Sequence, residues 1–222
     1  MFLADLLLPN RCPFCDGFIS YDRLCCQECF DSCAWSDENI CPLCGKSVLR
    51  GCQCGSVSYD GCVCAAYYTG NAKEAVIRLK YSDTASAAVV FGRVLRDMLK
   101  VRGLTDSISF AVPVPMHKSG LRKRGYNQAE LIAREIVKGS TIPLRSDMLY
   151  RDEPDTAQHK LSGEERHVAA ALQYHAYDKD ISGRTVLLVD DVLTTGATFS
   201  ACTDELKRIG AERVICAAAV TA

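Results

Sequence analysis

No stretch of this sequence approaches the roughly eighteen uninterrupted apolar residues of a membrane-spanning helix. The apolar opening, MFLADLLLPN, lacks a basic flank, carries Asp5 and breaks at Pro9, so it is neither a span nor a secretory signal. Charge of one sign is not in excess: 26 Lys and Arg against 27 Asp and Glu leave a net charge of -1. That excludes a generally basic nucleic-acid binder and leaves room only for a local patch. The lysine of a nucleoside-triphosphate loop and the three glycines of a dinucleotide fingerprint are both missing. Among the four histidines none stands where it would complete an open catalytic zinc site. The expectation is a soluble, cytoplasmic protein with no membrane contact.

What is abundant is cysteine, and it is clustered. Twelve of the fourteen cysteines lie between Cys12 and Cys64. In a reducing compartment, dense paired cysteines point to metal rather than disulfides. Cys12-x2-Cys15 and Cys26-x2-Cys29 stand on either side of a ten-residue insert, so four thiolates can converge tetrahedrally on Zn²⁺. A second set follows with Cys41-x2-Cys44 and then Cys52-x-Cys54, although Cys62-x-Cys64 competes for the last two places. In the alternating run CVCAAYY, Cys62 and Cys64 would share one strand face and can pack there as small apolar groups. Cys25 and Cys33 have no evident assignment. This head holds too few large apolar residues to fold by burial alone, so two structural zinc ions would supply much of its folding free energy. Its eight acids against four bases favour a scaffold or protein-contact role over nucleic-acid binding.

From Tyr67 the pattern changes to alternating strands and helices. Ala87, Val90, Phe91, Val94, Leu95, Met98 and Leu99 recur at helical spacing and stop at Gly103. The strand ISFAVPVP follows, then a helix with Ala129, Ile132, Ala133, Ile136 and Val137 on one face. TVLLVDD is apolar up to a final acidic pair, as a strand buried on both faces is. A helix carrying Phe199, Cys202, Leu206 and Ile209 then leads into RVICAAAV. Strand, tight loop, helix and strand make a βαβ unit, and parallel sheets place ligands at the carboxyl ends of their strands. The expected architecture is an α/β parallel sheet flanked by helices, residues 66–222, behind a small cysteine-rich zinc ribbon region, residues 1–65.

In VDDVLTTGAT, two carboxylates leave the strand and a run of Thr, Thr, Gly, Ala and Thr enters the helix. Successive backbone N–H groups and the helix dipole suit a phosphate there. Carboxylates beside a phosphate make sense if they accept hydrogen bonds from sugar hydroxyls and sit near Mg²⁺, so the implied ligand is a ribose 5-phosphate. An acidic turn before a capped helix is the plainer alternative.

VLLVDDVLTTGATFSAC resembles the 5-phosphoribosyl-1-pyrophosphate (PRPP) signature of type I phosphoribosyltransferases. The whole chain resembles the ComF family, which joins a double zinc ribbon to such a domain and includes competence proteins for DNA uptake. LLLPNRCPFC, CPLCG, AVIRLKY, VPVPMHKSGLRKRGYNQAEL and the PRPP loop occur in that family's order. The resemblance implies that Asp190 and Asp191 contact the ribose hydroxyls. Val192 and Leu193 belong to the same segment, and Thr194, Thr195, Gly196, Ala197 and Thr198 hold the 5-phosphate. It assigns the pyrophosphate to Val114, Pro115 and Met116, with Lys118 and Arg151 as basic groups beside it and Mg²⁺ arriving with PRPP. Arg151, Thr156, Gln158, Leu161 and Arg166 match a family series, and the segment they span would close over PRPP. The family closes its second zinc set with C-x2-C where this chain has Cys52-x-Cys54, and has Asn where this chain has His167.

Between the strand ISFAVPVP and the next helix, Arg122, Lys123 and Arg124 come without an acidic residue and beside Tyr126. Such a run is either a solvated basic turn or a contact for nucleic-acid phosphates, with Tyr126 as a stacking ring. Lys80 and Tyr81 would border the site. The resemblance thus implies a PRPP-binding protein of natural transformation, with single-stranded DNA and a DNA-uptake helicase as partners. Since no residue identifies an acceptor, a salvage phosphoribosyltransferase and a PRPP-sensing nucleic-acid-binding regulator stand beside that reading.

Overall fold

The computed structural model describes residues 10–52, 54–81, 85–152 and 173–222. A two-stranded antiparallel ribbon, β1 (Asn10–Arg11) and β2 (Phe18–Ile19), is followed by a short helix α1 (Gln27–Asp31). Then come β3 (Gly61–Tyr67), α2 (Gly70–Tyr81), α3 (Ser86–Val101), β4 (Phe110–Pro113), α4 (Lys118–Arg124) and α5 (Gln128–Val137). The chain continues through β5 (Leu149–Arg151), β6 (Tyr174–Ala176), β7 (Arg184–Leu193), α6 (Ala197–Arg208) and β8 (Ala211–Thr221). β3, β8, β7 and β4 form one parallel sheet in that order, and β5 pairs with β6 antiparallel.

Alternation along the strands accounts for the layers. On one face, Val63, Ala65, Leu187, Val189, Ile215, Ala217 and Ala219 pack with residues of α2, α3 and α5. On the other, Cys62, Cys64, Val186, Leu188, Val214, Cys216 and Ala218 pack with α6 and the β5–β6 pair. A strand buried on both faces has no polar side, which is why TVLLVDD and RVICAAAV read as continuous apolar runs. The expected parallel α/β sheet with flanking helices is what forms. Strand ISFAVPVP is shorter than its pattern, ending at Pro113, although the Val114 N–H still donates to Val189 at 2.8 Å.

The cysteine-rich head shares the core of the sheet. Phe14, 1% exposed, meets the rings of Phe91 and Trp35 edge-on at 5.8 and 6.2 Å. Its carbonyl accepts a hydrogen bond from Arg78 at 2.7 Å. Residues 34–36 run antiparallel along β3, with Ser36 N–H donating to Ala65 O and Tyr67 N–H to Ala34 O. The head therefore covers an edge that would otherwise present unpaired backbone groups. β3 straddles residues 65 and 66, where the sequence pattern changes.

Phe14→Ala should destabilise the whole protein by about 3–5 kcal/mol, because it empties a site shared by both regions. Urea unfolding of the zinc-loaded protein followed by tryptophan fluorescence and by circular dichroism should give one coincident transition. Two separated transitions would show instead that head and sheet are independent.

Candidate functional site

The first four cysteines, Cys12, Cys15, Cys26 and Cys29, bring their Sγ atoms within 4.8 Å of one another. Cys15 and Cys26 are 3.8 Å apart, the separation that a tetrahedral zinc with bonds near 2.3 Å imposes to within about 0.1 Å. Burial opposes ionisation of Cys12, but the N–H groups of Cys26, Cys15 and Phe14 outweigh it and bring the thiol down to about 7. In the second set, Cys41, Cys44, Cys52 and Cys54 cluster in the same way. Against burial, the N–H groups of Cys44 and Leu43 bring Cys41 down to about 6. Four converging Sγ atoms in each set, with backbone N–H groups turned on Cys12 and Cys41, fit structural zinc. Cys62 and Cys64 lie instead in the sheet core, 3.8 Å apart on one face of β3. Cys25 and Cys33 pack beneath the first ribbon, where burial pushes their thiols up to about 11 and 12.

A cleft of about 370 Å³ opens at the carboxyl ends of β4 and β7. β7 contributes Asp190 and Asp191, and the first turn of α6 contributes Thr198. The segment after β4 contributes Val114, Pro115 and Met116, the three residues expected to hold pyrophosphate, together with His117. Arg124, at the end of α4, and Arg151, at the end of β5, reach the same space. Lys80, near the end of α2, forms an ion pair with Asp191 at 3.1 Å. Arg151 is aimed by two hydrogen bonds to Gln173, at 2.8 and 3.2 Å, and lies 5.2 Å from the centre of the Tyr174 ring.

Several expected residues lie elsewhere. Leu193 is 1% exposed and its side chain belongs to the sheet core, so it supports the loop from behind. Val192 is half-buried against the opposite core. Thr194 and Thr195 are exposed, and Gly196 takes a left-handed conformation, φ 84°, as the residue before Ala197 opens α6. Lys118 lies in an adjoining depression shared with Arg151, and Arg122 and Lys123 are exposed on α4. Tyr126 is not an open stacking ring: it is half-buried, with its hydroxyl donating to the Leu79 carbonyl at 2.8 Å. The exposed ring beside Arg124 is Tyr81, with the guanidinium carbon 5.4 Å from its centre. Thr156, Gln158, Leu161, Arg166 and His167 lie outside the described residues. Sequence reasoning underweighted Lys80 and missed Tyr174 and Gln173, since no spacing rule connects them to Asp190.

Desolvation of its carboxyl pushes Asp190 up to about 8, and the like charge of Asp191 adds to the shift. Lys80, Arg151 and the Asp191 N–H pull the other way. Below pH about 4 both folded and unfolded chains are protonated at Asp190. Between there and about 8 only the unfolded chain ionises, so folding stability falls as pH rises through that window. Asp190→Asn should flatten the decline and raise the unfolding free energy at pH 7.5, measured in parallel urea titrations. Metal analysis should find two zinc ions per chain, and a folded protein without zinc would overturn the assignment of both cysteine sets.

The chain is similar to known proteins in both of its parts. Residues 3–65 match the double zinc ribbon domain family, and residues 119–222 match the phosphoribosyl transferase domain family. Competence protein F of Haemophilus influenzae is 26% identical, with 92% of this chain and 93% of the relative covered. DNA utilization protein YhgH of Escherichia coli O6:H1 is 26% identical over 94% of this chain and 96% of its own. Competence protein ComFC of Bacillus subtilis is 26% identical over 80% and 75%. The chain thus joins a double zinc ribbon to a phosphoribosyl transferase domain and is similar across most of its length to the competence proteins F and ComFC.

Proposed function

We propose that the cleft binds Mg²⁺-PRPP in a cytoplasmic protein that serves DNA uptake or the handling of single-stranded DNA. The observation that carries this reading is the convergence of Asp190 and Asp191 with Lys80, Arg124 and Arg151 at the start of α6. A ligand that suits it must donate hydrogen bonds to two carboxylates while offering anionic groups on either side. A ribose bearing a phosphate and a pyrophosphate has that pattern. The 5-phosphate would take the N–H groups and hydroxyls of Thr194–Thr198, and the ribose hydroxyls would donate to Asp190 and Asp191. The pyrophosphate would lie along Val114, Pro115 and Met116, within reach of Lys80 and Arg151. Mg²⁺ would supply charge neutralisation of the pyrophosphate, with the acidic pair beside it.

The relatives' names, competence protein F and DNA utilization protein, support the DNA side of this reading. Lys118, Arg122 and Lys123 are exposed on α4, whose last residue Arg124 lines the cleft beside Tyr81, and such a basic helix suits a single-stranded backbone. A DNA-uptake helicase is the partner class that such a role implies. Among the described residues, none of those lining the cleft comes from the zinc-binding head.

Calorimetry of Mg²⁺-PRPP should give a measurable affinity that falls at least about a hundredfold in the Asp190→Ala, Asp191→Ala double variant, since two charge-assisted contacts are lost. Pyrophosphate release with a panel of bases would assign a salvage transferase instead. Single-stranded DNA binding should weaken with salt. Neutralising Arg122 and Lys123 should lower the slope of log affinity against log salt by about 1.4, two phosphate contacts' worth. Tight PRPP binding with DNA affinity that changes on its addition would favour a PRPP-sensing regulator.

A further inference from the structure

We propose that Tyr59 is a positioning residue for the phosphate loop, and that through Cys44 it couples the second zinc site to anion binding there. The coupling rests on the PRPP reading only for the identity of the anion.

Tyr59 is 3% exposed and spans the two sites. Its hydroxyl donates to the carbonyl of Cys44, a ligand of the second set, at 2.9 Å. Its ring meets Phe199, in the first turn of α6, edge-on at 5.9 Å. The same hydroxyl oxygen lies 3.0 Å from where a Cβ on Gly196 would stand, so the loop's glycine is closed in by Tyr59 from behind. Gly196 thus has two reasons to lack a side chain, its left-handed backbone and this approach.

Neighbouring contacts make the arrangement a clamp. Ser58 N–H donates to Ser200 Oγ at 3.3 Å, while Lys207 donates to the Ser58 carbonyl at 2.7 Å and pairs with Asp60 at 3.0 Å. Asp60 in turn accepts from the Val214 N–H of β8 at 2.8 Å. On the other side of the zinc set, Gly45 sits so close that a Cβ would fall 2.6 Å from Leu193 and 2.5 Å from Cys62 Sγ. The second ribbon therefore abuts both ends of the phosphate loop, Leu193 before it and Phe199 after it. Zinc fixes Cys44 and Gly45, these fix Tyr59 and Leu193, and these fix the N–H groups that meet the phosphate. By linkage the effect is reciprocal: an anion that orders the loop must also hold the zinc more firmly.

Tyr59→Phe removes the hydroxyl and keeps the ring on Phe199, so the fold is retained. In ligand-free protein, hydrogen exchange of the amides of residues 194–200 should quicken about fivefold, the weight of one buried hydrogen bond. A chromogenic chelator should withdraw one of the two zinc ions about fivefold faster from this variant, with the ion of the first ribbon as internal control. In the wild-type protein, saturating Mg²⁺-PRPP should slow the release of that same ion and leave the first unchanged. Unaltered exchange in Tyr59→Phe, together with zinc release indifferent to the variant, would overturn the coupling. Faster exchange and faster release in the variant, with no effect of PRPP on the wild type, would uphold the coupling and reject PRPP as the ligand.

Discussion

Two adjacent carboxylates at the end of a buried strand are an electrostatic problem that the surrounding structure answers. β7 carries Asp190 and Asp191 out of the sheet side by side, and desolvation together with mutual repulsion holds Asp190 towards its protonated form. Positive charge has to be brought from elsewhere in the chain. The end of α2 brings Lys80 and the end of β5 brings Arg151, itself held by Gln173 and Tyr174. The pair is left partly neutralised by these internal partners. Stability is given up at the place where binding is required, a common arrangement at functional sites.

The cysteine-rich head contributes to that arrangement indirectly. Among the described residues it supplies none to the cleft, yet it covers the β3 edge, inserts Phe14 into the core between α3 and Trp35, and presses its second ribbon against Leu193 at the end of β7. Burial that the head cannot achieve on its own is obtained partly from zinc and partly from the face of the sheet. This accounts for a ribbon with so few large apolar residues being joined to a domain whose helices leave a place for them.

Local chemistry was legible in the sequence. The two cysteine sets, the double-faced apolar strands, the helical stripe of Ala87 to Leu99 and the acidic pair before a threonine-rich helix start each follow from spacing within a few residues. Cys62 and Cys64 could be given two roles from spacing alone, and their common face on β3 decided for packing. Tyr126 and Tyr81 exchange roles for a similar reason. Both flank basic residues in the chain, but only the fold shows that Tyr126 reaches back to the Leu79 carbonyl while Tyr81 remains beneath Arg124.

By itself the sequence determined the central strands and helices of the sheet, the first metal set and which strand end carries the carboxylates, because each depends on periodicity or on ligands close together in the chain. Only the tertiary structure decided which cations face those carboxylates and what lies behind the loop from β7 to α6. Lys80 is more than a hundred residues from Asp191, and Tyr59 is as far from Gly196. Their meeting is set by the order in which parallel strands assemble and by helices crossing between them, and no local pattern records that order.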